Sequence, residues 1–265
     1  MAFEELKQRQ GVAWGAAPFE VVADTIADVH RAVVEAIGRA EGRRWLDVAC
    51  GTGGVTELAA SAGADVVGID IAPALIETAK RRAVEKGLDI DYRVGDAENL
   101  DVDDASVDVV TSTFGVMFAP DQPRAAAELA RVTRSGGELA LSTWRPEGGI
   151  GAMFEMLAPF QPPLPDGAGA PLDWGRPERV ESLLGDTFDL AFETRTSTDS
   201  RESGESMWQF YLECFGPMKT LAAALDDDRR EELHRAYVDF FERNYGADGS
   251  IDFPREWLLV TGTRS

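Results

Sequence analysis

An apolar strand, Leu46-Asp47-Val48-Ala49, runs directly into the glycine turn Cys50-Gly51-Thr52-Gly53-Gly54, and a helix opens at Val55. Few folds can accommodate that succession. Glycines let the backbone bend sharply and bring its amides close to a ligand, and the helix N-terminus behind them favours electron-rich groups. Such a turn belongs at the carboxyl end of a buried parallel strand, the place where open α/β sheets hold nucleotide-like molecules.

The remaining pattern agrees with that placement. Strands are expected over 45–49, 65–69, 90–94, 107–112 and 138–143, separated by helices over 55–62, 73–86 and 122–133, and such alternation implies parallel strands with crossover helices. Apolar residues at helical spacing (Val22, Ile26, Val29, Val33, Ile37) predict a helix over 19–40 that docks on the sheet. Gly136-Gly137 is expected to end the third crossover helix. Beyond Trp144 the regularity loosens into the Pro-rich loop around 162–171, then a helix over 176–184, a strand over 188–196, helical stretches over 206–225 and 228–244, and a last strand over 257–261. The expected fold is therefore α/β, with a Rossmann-like, mostly parallel seven-stranded sheet, helices on both faces, an N-terminal helical segment and a helical insertion before the last strand. One domain spans 1–265, with 1–43 as a helical lid, 44–145 as the ligand-holding core, and 146–265 as substrate-side helices and final strands.

Composition removes several functions. With 265 residues and 44% hydrophobic content the chain can bury a large core, but its formal charge of -21 repels phosphate backbones and anionic membranes. No stretch approaches the roughly 20 apolar residues of a membrane span. Two cysteines make a disulfide framework improbable and fit a reducing compartment. The expectation is a soluble cytoplasmic protein with no nucleic-acid or membrane partner, for which a homodimer is a permitted assembly.

Which ligand the turn holds follows from charge. A dinucleotide fingerprint needs a third glycine where Thr56 stands, and a phosphate loop needs a lysine that is absent. An acid at Asp47 would repel a pyrophosphate but suits the sulfonium and ammonium groups of S-adenosylmethionine. Asp70 ends the next strand about twenty residues past the first glycine, where a carboxylate can take both ribose hydroxyls. Asp96, after Gly95 at the end of the third strand, could meet adenine with its carboxylate and the neighbouring amide; alone it would equally suit a turn cap.

These residues resemble the class I S-adenosylmethionine-dependent methyltransferases, in particular the small-molecule group related to the ubiquinone and menaquinone C-methyltransferases, over about Leu46 to Trp144. The resemblance implies that Asp47, Ala49, Gly51, Thr52 and Gly53 contact the methionine moiety, Asp70 with Ile71 the ribose, and Asp96 with Ala97 the adenine. It also implies that Thr113 and Phe114, in the loop after the fourth strand, touch the cofactor. The family usually has Pro where this chain has Ser135, and signatures specific to the quinone enzymes are not evident.

Methyl transfer from a sulfonium asks mainly for alignment and exclusion of water, with a base when the acceptor is a hydroxyl or an acidic carbon. Trp14, Met117, Phe118, Trp144, Trp208 and Tyr211 are the expected borders of an apolar or aromatic acceptor pocket. Of the two histidines, His30 and His234, each is read first as a solvated surface group and second as a candidate base. Cys50 fits the turn as a small packing residue. No cluster has metal-ligand spacing, so no metal is expected. Two other readings remain: a non-catalytic S-adenosylmethionine-binding sensor or scaffold, and a nicotinamide-dependent oxidoreductase.

Overall fold

The computed structural model describes residues 3–265. In chain order the elements are α1 (Glu4–Trp14), α2 (Phe19–Asp24), α3 (Ala27–Ile37), β1 (Arg44–Val48), α4 (Gly54–Ser61), β2 (Asp65–Asp70), α5 (Pro73–Lys86), β3 (Asp91–Val94) and β4 (Val107–Thr113). There follow α6 (Gln122–Val132), β5 (Thr133–Trp144), α7 (Gly149–Leu157), α8 (Pro177–Leu184), β6 (Phe188–Arg201), α9 (Gly204–Cys214), α10 (Gly216–Ala224), α11 (Asp227–Tyr245), β7 (Gly246–Ala247) and β8 (Ser250–Arg264).

The strand order is β3-β2-β1-β4-β5-β8-β6, with β7 paired to β8 at its end. Strands β1 to β5 are parallel, whereas β8 runs antiparallel to both β5 and β6. Seven strands thus form the continuous path, as expected, and the two-residue β7 makes an eighth. The order moves outward from β1 toward β2 and then, after β3, back across to β4. Because crossover connections are right-handed, α4 and α6 must cover opposite faces. The reversal between β1 and β4 opens a crevice at their carboxyl ends, and the glycine turn sits there.

Local chemistry accounts for the element limits. Helix α5 starts with Pro73, whose missing N–H costs nothing at that position, and stops at Gly87 in the left-handed region. Asp121, Ser203 and Asp226 cap α6, α9 and α11 by accepting a backbone N–H from the first turn. In α3, Val29, Val33 and Ile37 recur at one face and are buried in the main core with the apolar residues of β1, β4 and β5.

Several boundaries differ from expectation for identifiable reasons. The helix expected over 19–40 is two helices, because the Thr25 hydroxyl donates to Val22 O and turns the chain between α2 and α3. Gly136-Gly137 does not end a helix. Val107 pairs with Thr133 and Val109 with Glu138, so these glycines lie in an irregularity inside β5. The helix expected over 206–225 breaks at Phe215, and α10 begins anew with Gly216-Pro217. Strands β6 and β8 run well past 188–196 and 257–261, because each is paired along its whole length with the other. Helix α7 was not foreseen, and α1, inside the segment 1–43 expected to be helical, had no bounds of its own: its sequence (EELKQRQGVAW) is polar nearly all round and offers no periodicity to read.

A second apolar cluster, separate from the main core, joins α7, α9, α10 and α11 to the first half of β8. It forms a cap above the sheet's carboxyl edge. Among the described residues no helix is long and apolar enough to cross a membrane.

Candidate cofactor and acceptor site

The turn after β1 is fixed by one carboxylate. Asp70, 6% exposed at the end of β2, accepts the Gly51 N–H through Oδ2 at 2.8 Å and the Ala72 N–H through Oδ1 at 2.8 Å, so a single side chain ties two turns together. Burial holds its pKa above the usual carboxylate range, and the two amides offset only part of that rise. Gly53 adopts φ 95°, a region closed to most side chains, and a Cβ there would strike the Tyr92 hydroxyl. That hydroxyl meets Thr56 Oγ1, which also donates to Gly53 O. Thr56, at the third glycine position of a dinucleotide turn, is thus a fully buried strut.

Asp47 lies deeper. It is 2% exposed; Oδ1 accepts the Thr111 hydroxyl at 2.7 Å, and Thr111 Oγ1 in turn accepts the Trp45 indole N–H at 2.9 Å. No ion pair holds it among the described residues. Burial, with the nearby Asp70 charge adding to it, raises its pKa from 3.8 to about 7 in spite of the Thr111 bond. The sequence named the acid but not the threonine beneath it, because the pairing depends on β1 and β4 being neighbours.

At the end of β3, Asp96 Oδ1 accepts the Glu98 N–H at 2.9 Å, which is a turn cap. Its other oxygen is taken by Lys7, whose ammonium lies 2.7 Å from Asp96 Oδ2 and 2.9 Å from Glu98 Oε2 while itself only 4% exposed. The pair of carboxylates holds the lysine well above its ordinary pKa against the opposing effect of burial. Helix α1 therefore lies across the strand ends. Gln10 donates to Phe118 O at 3.0 Å, and Gly11 approaches so closely that a Cβ there would sit 3.0 Å from Ile71 O. Lys7 and Gln10 escaped sequence reasoning, since α1 meets these partners across 89 and 108 positions of chain.

Two non-glycine residues with positive φ mark the crevice itself, Ala49 (55°) after β1 and Phe114 (52°) after β4. Each costs roughly 1–2 kcal/mol, and such strain concentrates where a site over-determines the backbone. The Phe114 ring stacks on Trp144 with centroids 3.5 Å apart, and Trp257 stands edge-on at 6.3 Å. Thr113 Oγ1 and, on the next strand, Ser142 Oγ are buried with no hydrogen-bond partner among the described residues.

Above them, Trp14 meets Phe118 at 5.0 Å, Phe215 at 5.4 Å and Phe19 at 5.5 Å, so residues from α1, α2, the loop after β4 and the cap form one aromatic wall. Phe19 and Phe215 were not singled out from sequence. Tyr211 joins the wall through Phe215 at 5.9 Å. Met117 is fully buried in the main core, below the wall. Trp208 packs inside the cap against Tyr237 and His234.

The histidines separate. His30 is half-buried, not fully solvated: its ring presses on Gly54 at the start of α4, and desolvation lowers its pKa to about 4, leaving it neutral. His234 is partly exposed on the cap with Nε2 2.7 Å from Glu205 Oε2. Cys50 is buried, and its thiol is pushed far above its usual pKa, as a packing residue would be.

Comparison with known proteins accords with this geometry. Residues 46–141 match the family model described as methyltransferase domain. An uncharacterized protein of Mycobacterium tuberculosis is 39% identical over 255 residues, covering 95% of this chain and 92% of that protein. The demethylmenaquinone methyltransferase of Renibacterium salmoninarum is 43% identical over 113 residues, 43% of this chain and 46% of its own. Among solved structures, the Haemonchus contortus phosphoethanolamine N-methyltransferase 2 in complex with S-adenosyl-L-methionine superposes with a TM-score of 0.57 at 19% identity, over 89% of this chain and 52% of that one. The sheet order, the acid-flanked glycine turn and these likenesses agree: the chain belongs to the class I S-adenosylmethionine-dependent methyltransferases.

Proposed function

We infer that the chain transfers the methyl group of S-adenosylmethionine to a small apolar or aromatic metabolite, with 1–43 acting as a lid, 44–145 as the cofactor core and 146–265 as the acceptor side. The observation that carries the cofactor half is the paired acids, Asp70 tied to the turn and Asp47 buried without a cation. Each Asp70 oxygen spends one lone pair on an amide and keeps another, which suits the two hydroxyls of a ribose. Asp47 asks for a positive group, and Thr113 Oγ1 for a polar one. The residues fit the cofactor.

When bound, S-adenosylmethionine supplies a methyl group already activated on a sulfonium. Asp47 and the turn residues Ala49, Gly51, Thr52 and Gly53 would hold its methionine end, Asp70 and Ile71 its ribose, Asp96 and Ala97 its adenine, and Thr113 and Phe114 the flank next to the acceptor. The chain's remaining work is alignment in a dry site, which intramolecular analogies put at up to about 7–11 kcal/mol of a barrier. Trp14, Phe118, Phe19 and Phe215, with the Phe114–Trp144 stack, offer an apolar boundary for a flat acceptor. The Lys7 contacts hold α1 down over the strand ends and keep water out. Neither histidine faces this wall, so a proton lost by the acceptor is not assigned to them.

Incubation with methyl-labelled S-adenosylmethionine and a panel of hydroxylated aromatic compounds should give a labelled product and S-adenosylhomocysteine. Cofactor binding without label transfer to any member of a broad panel would favour the sensor reading instead.

A further inference from the structure

Strands β6 and β8 do not stop where the sheet does. Trp144, the last residue of β5, pairs with Trp257, and the two outer strands continue as a two-stranded arm to the Arg201–Ile251 pair. Along the arm alternate residues face the cap helices: Ser197 and Asp199 on β6, Arg255, Phe253 and Ile251 on β8, all 4% exposed or less. That face carries charge in a place where charge is expensive. Asp199 Oδ2 accepts the Tyr211 hydroxyl at 3.0 Å and lies 3.9 Å from Arg255 Nη1, while Asp199 Oδ1 lies 3.2 Å from Arg201 Nε. Arg255 also donates from Nη1 to Thr25 Oγ1 at 3.0 Å and from Nη2 to Thr25 O at 2.7 Å. Two guanidinium groups thus share one carboxylate, leaving an excess positive charge.

Five polar groups in and around that cluster are buried with no hydrogen-bond partner among the described residues: Arg255 Nε, Ser197 Oγ, Tyr237 Oη, Trp257 Nε1 and Arg201 Nε, the last close to Asp199 only as an ion pair. An unmet buried donor is costly, and folded chains leave few of them. All five can donate, and the three nitrogens can do nothing else. Their shared complement is a negatively charged group rich in acceptor oxygens. The cluster also borders the aromatic wall, since Tyr211 touches both Asp199 and Phe215, and Phe19 lies against the glycine turn at Gly51.

We propose that the inner face of the arm anchors the methyl acceptor, and that the acceptor is an apolar or aromatic carboxylic acid whose carboxylate is received by Arg255, Ser197 and Tyr237 at the end remote from the methylated atom. This rests on the methyltransferase reading above. Tyr237→Phe and Ser197→Ala separate an anchor from a structural cluster, because each deletes a hydroxyl that has no hydrogen-bond partner to lose among the described residues. The free proteins should melt at the wild-type temperature or higher.

Calorimetry on the full chain, first with S-adenosylhomocysteine and then, in its presence, with matched acids and amides (benzoate and benzamide, 4-hydroxybenzoate and 4-hydroxybenzamide, octanoate and octanamide), tests the assignment. At least one acid should bind tenfold or more tightly than its amide, and each hydroxyl deletion should cut that preference about threefold to tenfold. Equal binding of acids and amides, no binding of either, or an acid preference untouched by both variants would overturn the anchor and leave the unmet donors to internal water, with the cofactor reading intact. Failure to bind S-adenosylhomocysteine would instead sink the methyltransferase reading and the anchor together.

Discussion

The two halves of the site are built by different forces. Around the cofactor turn, backbone amides and two buried carboxylates set positions to hydrogen-bond precision, with Asp70 serving Gly51 and Ala72 at once. In the cap, position is set by ring packing, with Tyr237, Phe241 and Phe253 fully buried against one another and against β8. Directional bonds tolerate little change in chemistry, whereas apolar packing tolerates change in chemistry and little change in volume. The acid-flanked turn can therefore stay the same in proteins whose caps differ, and the cap is where an acceptor would be chosen.

Damage to one half, with the other half watched, shows how far the two are independent. Phe241→Ala removes a fully buried ring from the cap, a change that costs about 3–5 kcal/mol. Thermal unfolding should show that loss, while calorimetry on the folded variant should find S-adenosylmethionine affinity within threefold of wild type. A parallel collapse of cofactor affinity would show that the halves are one mechanical unit. Asp70→Ala is the reciprocal experiment. It should weaken cofactor binding by about 1.5–3 kcal/mol, the range for a hydrogen bond to a charged group, or about tenfold to 150-fold. Unchanged affinity with the fold intact would remove Asp70 from the site.

A smaller effect is expected where the halves meet. Lys7→Met leaves Asp96 and Glu98 without their cation, and α1 should undock locally without unfolding the core. Stopped-flow release of S-adenosylhomocysteine should become about tenfold faster, equivalent to about 1.4 kcal/mol. Wild-type release rates would mean that α1 does not gate the cofactor.

Within the cofactor half, Asp47 carries a pH dependence of its own. Its folded pKa is raised from 3.8 to about 7. The folded free protein thus holds a proton that the unfolded chain has given up, and this stabilising contribution is complete below the unfolded value and is lost as pH rises through about 7. A cationic ligand needs the carboxylate, so its affinity should move the other way. It should fall by up to about tenfold per pH unit below 7, the limit for one linked proton. Asp47→Asn should flatten both trends; a pH-independent wild-type affinity would exclude Asp47 from contact with the charged end of the ligand.

The same contrast explains what could be read from the sequence. The glycine turn, Asp70 and the alternating core declared themselves because their signals are local, a few residues of strand, turn and helix at fixed spacing. Thr111 under Asp47, Lys7 between Asp96 and Glu98, and the wall residues Phe19 and Phe215 were hidden because each acts across tens of positions, through neighbours that only the sheet order creates. His30 looked solvated for a similar reason, since the packing of α3 on α4 that brings its ring to Gly54 leaves no trace in local periodicity. Strands β6 and β8 were cut short because their outer halves alternate charged and buried residues that make sense only beneath the cap.

If two buried acids and a pinned glycine turn select a cationic adenosyl ligand, the purified chain must discriminate between adenosyl and nicotinamide molecules. Calorimetric titrations with S-adenosylmethionine, S-adenosylhomocysteine and NADH, side by side, measure that choice. Saturable binding of the first two, with no heat from NADH, is expected. Binding of NADH alone, or of none of the three, would mean that the acids and the turn hold something else.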